Sequence, residues 1–298
     1  DISKRLLLIL PRMSEIRNNG TPDIEFAASG LLARSQMASG QPDAARRTME
    51  TLRARYVEAG LTRFLPNMDA MLCRMDLHTG ELDRADEWYR DRAPRDPMNI
   101  NAMKRYLYLT QAMVELADGR PDEAIMTLSP LLPFVERCSR YIDSIHLNTI
   151  SAIALYRKKD AAWRVTLRKA LETAEKFRFI RTVSVYGVSV LPLLEEIGWD
   201  GDARWFKALM TATRMQAAFY PYFLQPRIVP SEALTATEMQ ILRLMCADKS
   251  NAEIGEIMDI KLTTVKTHVS HILDKLGVSR RSEAKTAAKK LWLIPEDM

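Results

Sequence analysis

Three cysteines and four histidines are few for 298 residues, and each shortage removes a class of chemistry. Cys73, Cys138 and Cys246 are odd in number, far apart and outside any C-x-x-C or Cys/His cluster. Neither a disulfide framework nor a zinc site is therefore expected, and a reducing cytoplasm is the default compartment. His78, His146, His268 and His271 are scattered, with no metal-ligand spacing among them. No G-x-x-x-x-G-K-[ST] occurs, so no nucleotide site is expected in this chain. No catalytic constellation suggests itself, and the chain does not read as an enzyme or as a cofactor binder. A run of about 18 apolar residues, enough to span a membrane, is also missing. The opening DISKRLLLILPRM is too brief for a span and lacks a small-residue cleavage site. The first residue is Asp1 rather than Met, which reads as part of a longer or trimmed chain.

What is present is ordinary in amount: 47% hydrophobic, 27% charged, net charge +5. The placement of the charge is less ordinary. Residues 261–290 hold Lys261, Lys266, Lys275, Arg280, Arg281, Lys285, Lys289 and Lys290 against only Asp274 and Glu283. The stretch just before, 234–260, is acidic. Basicity confined to one short region points to a polyanionic partner at that region.

A repeat organises the first two thirds. GQPDAA from Gly40, GELDRA from Gly80 and GRPDEA from Gly119 share the pattern G-x-x-D-x-A, with weaker matches at Lys158 and Gly198. Seven residues before each of the three glycines stands a small residue: Ala33, Cys73 or Ala112. The pattern predicts helical hairpins in which glycine ends the first helix in the left-handed conformation. Pro42 and Pro121 stiffen the turn, the Asp is placed to cap the second helix, and Ala45, Ala85 and Ala124 keep the crossing tight. This resembles the tetratricopeptide repeat, stretched to about forty residues by longer helices or connections. Such a stack has a concave groove for a ligand or partner. Trp88, Tyr89, Tyr106, Tyr108, Tyr141, Trp163, Trp205 and Phe206 read as packing between its helices.

PYFLQPRIVPSEA, residues 221–233, carries three prolines and reads as an extended linker. The expected organisation is an all-α chain: a repeat domain over 1–220, this linker, and a second domain over 234–298. That second domain reads as four short helices. Thr235 and Glu238 form a capping-box pattern at the first, and Ser250 or Asn251 caps the second. A turn at Asp259–Lys261 then leads into a third helix at about 262–276, stopped by Gly277, which makes a helix-turn-helix. On the third helix Val265, Val269, Ile272 and Leu276 fall at i, i+4, i+7 and i+11, one buried stripe. Opposite them stand Thr263, Thr267, Ser270 and His271, flanked by Lys266. Short hydroxyls beside a long cation let a helix backbone come close to base edges in a major groove. His268 borders the stripe and reads as a packed, hydrogen-bonded histidine.

LTATEMQILRLM, SNAEI, TVKTHVSHILDKLGV and RSEA together resemble the LuxR/FixJ-type DNA-binding domain, over nearly all of 234–294. Gly255 stands where that family usually has Ala, and either residue is expected to fit. Leu262 stands where a polar cap is usual, which leaves Thr263 as the expected cap. The resemblance implies that Lys266, Thr267 and Ser270 face base edges, and that Asn251, Thr264, Lys275 and Arg281 contact phosphates. It also implies a fourth helix that pairs two copies on double-stranded DNA, with RNA polymerase as a further partner. Repeats followed by such a module resemble the MalT-like, large ATP-binding LuxR regulators, and RKALETAEKFRFIRTVSVYG (168–187) resembles a segment late in their repeat domain. That arrangement implies a transcription regulator governed by a small-molecule or protein effector on the repeats. The alternative is an interaction scaffold whose last module docks a protein.

Overall fold

The computed structural model describes residues 9–96, 100–101, 104–225, 234–276, 278 and 280–290. The chain divides into two compact units, Asp1–Pro226 and Arg227–Met298. All regular structure among the described residues is helical, and none of their helices is long and apolar enough to cross a membrane.

The first unit is a run of antiparallel helical hairpins after a short α1 (Met13–Asn19). The pairs are α2 (Pro22–Ala38) with α3 (Pro42–Glu58), then α4 (Leu65–Thr79) with α5 (Leu82–Arg92), then α6 (Arg105–Ala117) with α7 (Pro121–Leu128). After a short α8 (Leu131–Arg137) come α9 (Tyr141–Arg157) with α10 (Trp163–Lys176). A one-turn α11 (Arg181–Ser184) precedes α12 (Gly187–Glu196) and α13 (Ala203–Phe219). The stretched period thus has two sources: helices of up to 17 residues, and the short α8 and α11 inserted between hairpins.

The turns follow from the repeat pattern. Gly40, Gly80 and Gly119 have φ of 71°, 82° and 72°, the left-handed region that costs glycine nothing. At the first, Gly40 N–H donates to Met37 O and Gln41 N–H to Gln36 O, which satisfies the last carbonyls of α2. In the fourth hairpin the same bonds form around Lys159, with φ of 59°, so a side-chain-bearing residue takes the glycine's conformation. Pro42 and Pro121 begin their helices, where a missing N–H costs nothing. Ala33, Cys73, Ala112, Ala45, Ala85 and Ala124 are all buried at the crossings, since only small side chains let the axes approach.

The aspartates behave differently from expectation. The caps of α3, α5 and α7 are Gln41, Glu81 and Arg120, with no side-chain cap bond. Asp43, Asp83 and Asp122 lie inside the first turn instead, where they face the positive end of the helix dipole. In the fifth hairpin an aspartate does cap, one residue past the pattern's position: Asp202 accepts from the Arg204 and Trp205 amides at 2.8 and 3.1 Å.

Residues after α13 were expected to begin the linker. Those described, 221–225, instead belong to the repeat unit. Phe223 and Leu224 are fully buried, as is Tyr220 just before them. Tyr220 donates its hydroxyl to Met37 O at 2.7 Å, Ser189 donates to Phe223 O at 2.7 Å, and Arg157 donates to Leu224 O. Phe223 stacks on His78, ring centroids 3.7 Å apart. Arg181 donates to Ala38 O at 2.9 Å. First and last hairpins therefore touch, and the tail that leaves the unit is seated among both. Residues 226–233 of the expected linker lie outside the described residues.

The second unit holds α14 (Ala236–Cys246), α15 (Asn251–Met258), α16 (Leu262–Lys275) and α17 (Arg281–Lys290). Its separate core includes Ile241, Leu242, Ile254, Val265 and Ile272.

Candidate nucleic-acid interface

The second unit is pinned at its helix starts. Thr235 and Glu238 form the expected capping box on α14, and Ser250 and Glu253 form another on α15. Asp259 ends α15 with φ of 53°, and the chain turns straight into α16. This is the helix-turn-helix. Gly255 sits under that turn: a Cβ there would stand 2.9 Å from Ile260 O, a backbone atom. An alanine does not fit without a shift, contrary to the expectation that either residue would do.

Four apolar residues hold α16 down. Val265 and Ile272 are wholly buried, Val269 and Leu276 nearly so. At about 1.5–3 kcal/mol for each fully buried aliphatic side chain, this stripe fixes which face turns outward. The outward face is Thr263, Thr264, Lys266, Thr267, Ser270 and His271, all exposed. Thr267 folds its hydroxyl back on Thr263 O at 3.1 Å, a local bond that keeps the side chain close to the helix. No acid occurs between Leu262 and Leu273; Asp274 comes only in the last turn. The expected cap at Thr263 is not formed. Lys261 is the cap residue, with no side-chain bond, and Thr263 lies inside the first turn. His268 is half-buried, as its position implied, but its Nδ1 is buried with no hydrogen-bond partner among the described residues.

The seven residues singled out for DNA separate into two groups. Thr264, Lys266, Thr267 and Ser270 stand together on the outward face. Asn251, Lys275 and Arg281 are engaged within the unit. Lys275 Nζ lies 2.9 Å from Glu238 Oε2, with a side chain only 16% exposed. Burial alone would raise the Glu238 pKa, but Lys275 and the Thr235 amide and hydroxyl outweigh it and hold the carboxyl at about 2. Arg281 donates to Asn251 Oδ1 at 2.8 Å and to Lys249 O, tying α17 to the start of α15. Spacing alone gave no sign of these bonds, because both join residues about thirty or more positions apart. Lys285 is placed 3.8 Å from Asp248, at the surface. On α17, Ala284 and Ala288 pack into the core while Ser282, Glu283 and Thr286 stay exposed. The side chains of Lys289 and Lys290 lie outside the described residues.

A short helix presented over a buried stripe by a capped partner helix defines a helix-turn-helix module set behind a helical-repeat unit. Residues 232–288 match the family described as bacterial regulatory proteins, luxR family. Residues 13–198 match the MalT-like TPR region. The chain belongs to the MalT-like family, with a LuxR-type helix-turn-helix after its repeats. It is similar to the HTH-type transcriptional regulator MalT of Vibrio campbellii, 24% identical over 93% of this chain and 33% of that protein. It is likewise similar to the proteins of that name from Yersinia pestis and Yersinia pseudotuberculosis, 26% identical over the same shares. The chain thus spans about a third of the length of these relatives. No solved structure matches it.

Proposed function

We propose that this protein is a sequence-specific DNA-binding transcription regulator that lays α16 in the major groove, under control of an effector on the repeats. One observation carries the reading: the acid-free, exposed stretch of Thr263, Thr264, Lys266, Thr267 and Ser270 opposite a wholly buried stripe. A helix about 10–12 Å across enters a groove about 12 Å wide. Slim hydroxyl side chains then bring the backbone near base edges, and Lys266 reaches guanine acceptors or phosphate. The relatives' printed name, transcriptional regulator, supports the same reading.

Within it, Lys266, Thr267 and Ser270 read bases and Thr264 contacts the backbone. Asn251, Lys275 and Arg281 act first as braces that hold the reading helix. Arg281 has donors beyond its two internal bonds for a nearby phosphate. The exposed face of α17 pairs two copies on adjacent half-sites, and RNA polymerase is the partner next in line. Effector control is supported by the seated tail: the segment running toward the second unit is bonded to both the first and the last hairpin of the repeats. The test is selection of duplexes from a random pool by the full chain, with affinity then measured across salt. A selected consensus whose binding falls steeply with salt is expected. Enrichment of no sequence, together with binding that ignores salt, refutes it and favours a protein-docking module.

A further inference from the structure

A cavity of about 900 Å³ opens in the repeat unit, walled by the first helix of each of the first four hairpins, by α11 and by the seated tail. Its size suits a small molecule. Most of the wall is apolar and adaptable, with Met71, Met75, Leu109, Met113 and Val185 beside Phe223. The charge on that wall is one-sided. Arg34, Arg74, Arg105, Arg140 and Arg181 line it against a single acid, Asp143.

That acid is already occupied. Arg105 donates to Asp143 at 2.7 Å, and Arg140 bonds the same oxygen. Arg181 is engaged with Ala38 O and Gln216. Arg74 lies 3.6 Å over the Tyr106 ring and donates to Thr110 at 2.7 Å and to Tyr106 O at 3.1 Å, with no ion pair to a carboxylate among the described residues. Arg34 is exposed and has no hydrogen bond or ion pair among the described residues. Thr182 also lines the cavity, and its hydroxyl oxygen is buried with no partner among the described residues. Two aromatics expected to serve only as packing, Tyr106 and Tyr141, stand on this wall as well. The local field is positive: burial first, then the charges of Arg74 and Arg34, push the His146 pKa down to about 3 against the opposing pull of Asp143.

A neutral polyol can accept from a guanidinium but leaves the surplus positive charge of the wall uncompensated. An anion compensates the surplus arginines and matches their fork. We propose that the cavity binds a small amphiphilic organic anion, a carboxylate on an alkyl or aromatic body. Its head meets Arg34 and Arg74, and its body lies along Met71, Met75, Leu109 and Met113. The inference rests on the reading that the repeats take an effector and names that effector's chemical class.

The test is calorimetric titration of the full chain with hexanoate, decanoate and naphthalene-2-carboxylate. Each acid is compared with the alcohol of the same skeleton, and raffinose serves as a neutral sugar. At least one acid is expected to bind one-to-one and at least tenfold tighter than its alcohol. Arg34→Gln should erase most of that margin, and Arg47→Gln, on α3 outside the cavity, should leave it intact. Arg34 is exposed, so its loss spares the fold; circular dichroism checks this. Acids no tighter than their alcohols, an unaltered Arg34→Gln, or raffinose binding in their place overturns the proposal. Duplex affinity is measured separately. Salt-sensitive DNA binding without acid binding defeats this inference alone, and the reverse result defeats only the DNA reading.

Discussion

The two units handle charge in opposite ways. The repeat unit encloses it: Asp76, His78 and Glu115 are all buried. Burial holds the His78 pKa down at about 4 and, with Arg74 and Arg34, that of His146 at about 3. It lifts Asp76 to about 6 despite the adjacent Arg46, and it raises Glu115 despite bonds from Gln111, Thr127 and Tyr89. The second unit keeps Arg243, Lys261, Lys266 and Arg280 exposed. Its buried acid, Glu238, is satisfied by Lys275 and the Thr235 cap. An enclosed, desolvated interior is suited to selecting a small ligand, whereas a solvated rim of cations is suited to a polyanion that arrives from outside.

The comparison can be broken most forcefully at the two cores. Phe223→Ala should cost the repeat unit about 3–5 kcal/mol, because its ring fills the space against His78 and Tyr186. Calorimetry should show the repeat transition falling with little change in the other unit. Ile272→Ala should do the converse, costing the second unit about 2–5 kcal/mol and its duplex affinity. If either change moved both transitions equally, the units would not be separate bodies.

A pH scan sharpens the contrast. Glu238 has a folded pKa below the ordinary 4.5, so its stabilisation is complete above that value and drains away as pH falls toward 2. Glu253 is shifted in the same direction by the Ser250 cap and Lys249. The second unit should therefore lose melting temperature below about pH 4.5, and Glu238→Gln should start lower and respond less to acid. In the repeat unit the terms oppose one another. His78 and His146 lose stability as pH falls from 6.5 toward 4, while Asp76 gains it between about 6 and 3.8. Two histidines outweigh one aspartate, so the repeat unit should lose melting temperature as pH falls from 6.5 toward 4, a window in which the second unit hardly changes; no such loss would show that the histidines are not held neutral.

Backbone strain provides the smallest effects. Gly255→Ala should destabilise the second unit by about 1 kcal/mol, as overpacking against Ile260 O. Lys159→Gly should stabilise the repeat unit by up to about 1 kcal/mol, relieving its left-handed backbone. A neutral result at Gly255 would mean that the turn into α16 yields more readily than its geometry implies.

Local features were the legible ones. Glycine turns, small residues at crossings, capping boxes and the stripe from Val265 to Leu276 each depend on residues a few positions apart, so their spacing carries the information. The bonds from Lys275 to Glu238 and from Arg281 to Asn251 were not legible, because only folding brings those partners together. The same applies to the cavity, whose arginines come from four helices and a connecting turn, and to the tail. Residues 221–233 look like a linker from their three prolines, yet Phe223 and Leu224 are drawn under the repeats by burial.

The most direct measurement is anisotropy of a selected duplex and its base-substituted variants, titrated with the wild-type chain, Lys266→Ala and Ser270→Ala at two salt concentrations. Lys266→Ala is expected to weaken the preferred duplex by about 1–3 kcal/mol and to narrow its margin over the variants. Ser270→Ala should narrow that margin with less loss of affinity. Wild-type affinity and discrimination in both substitutions would contradict the claim that this face of α16 reads DNA.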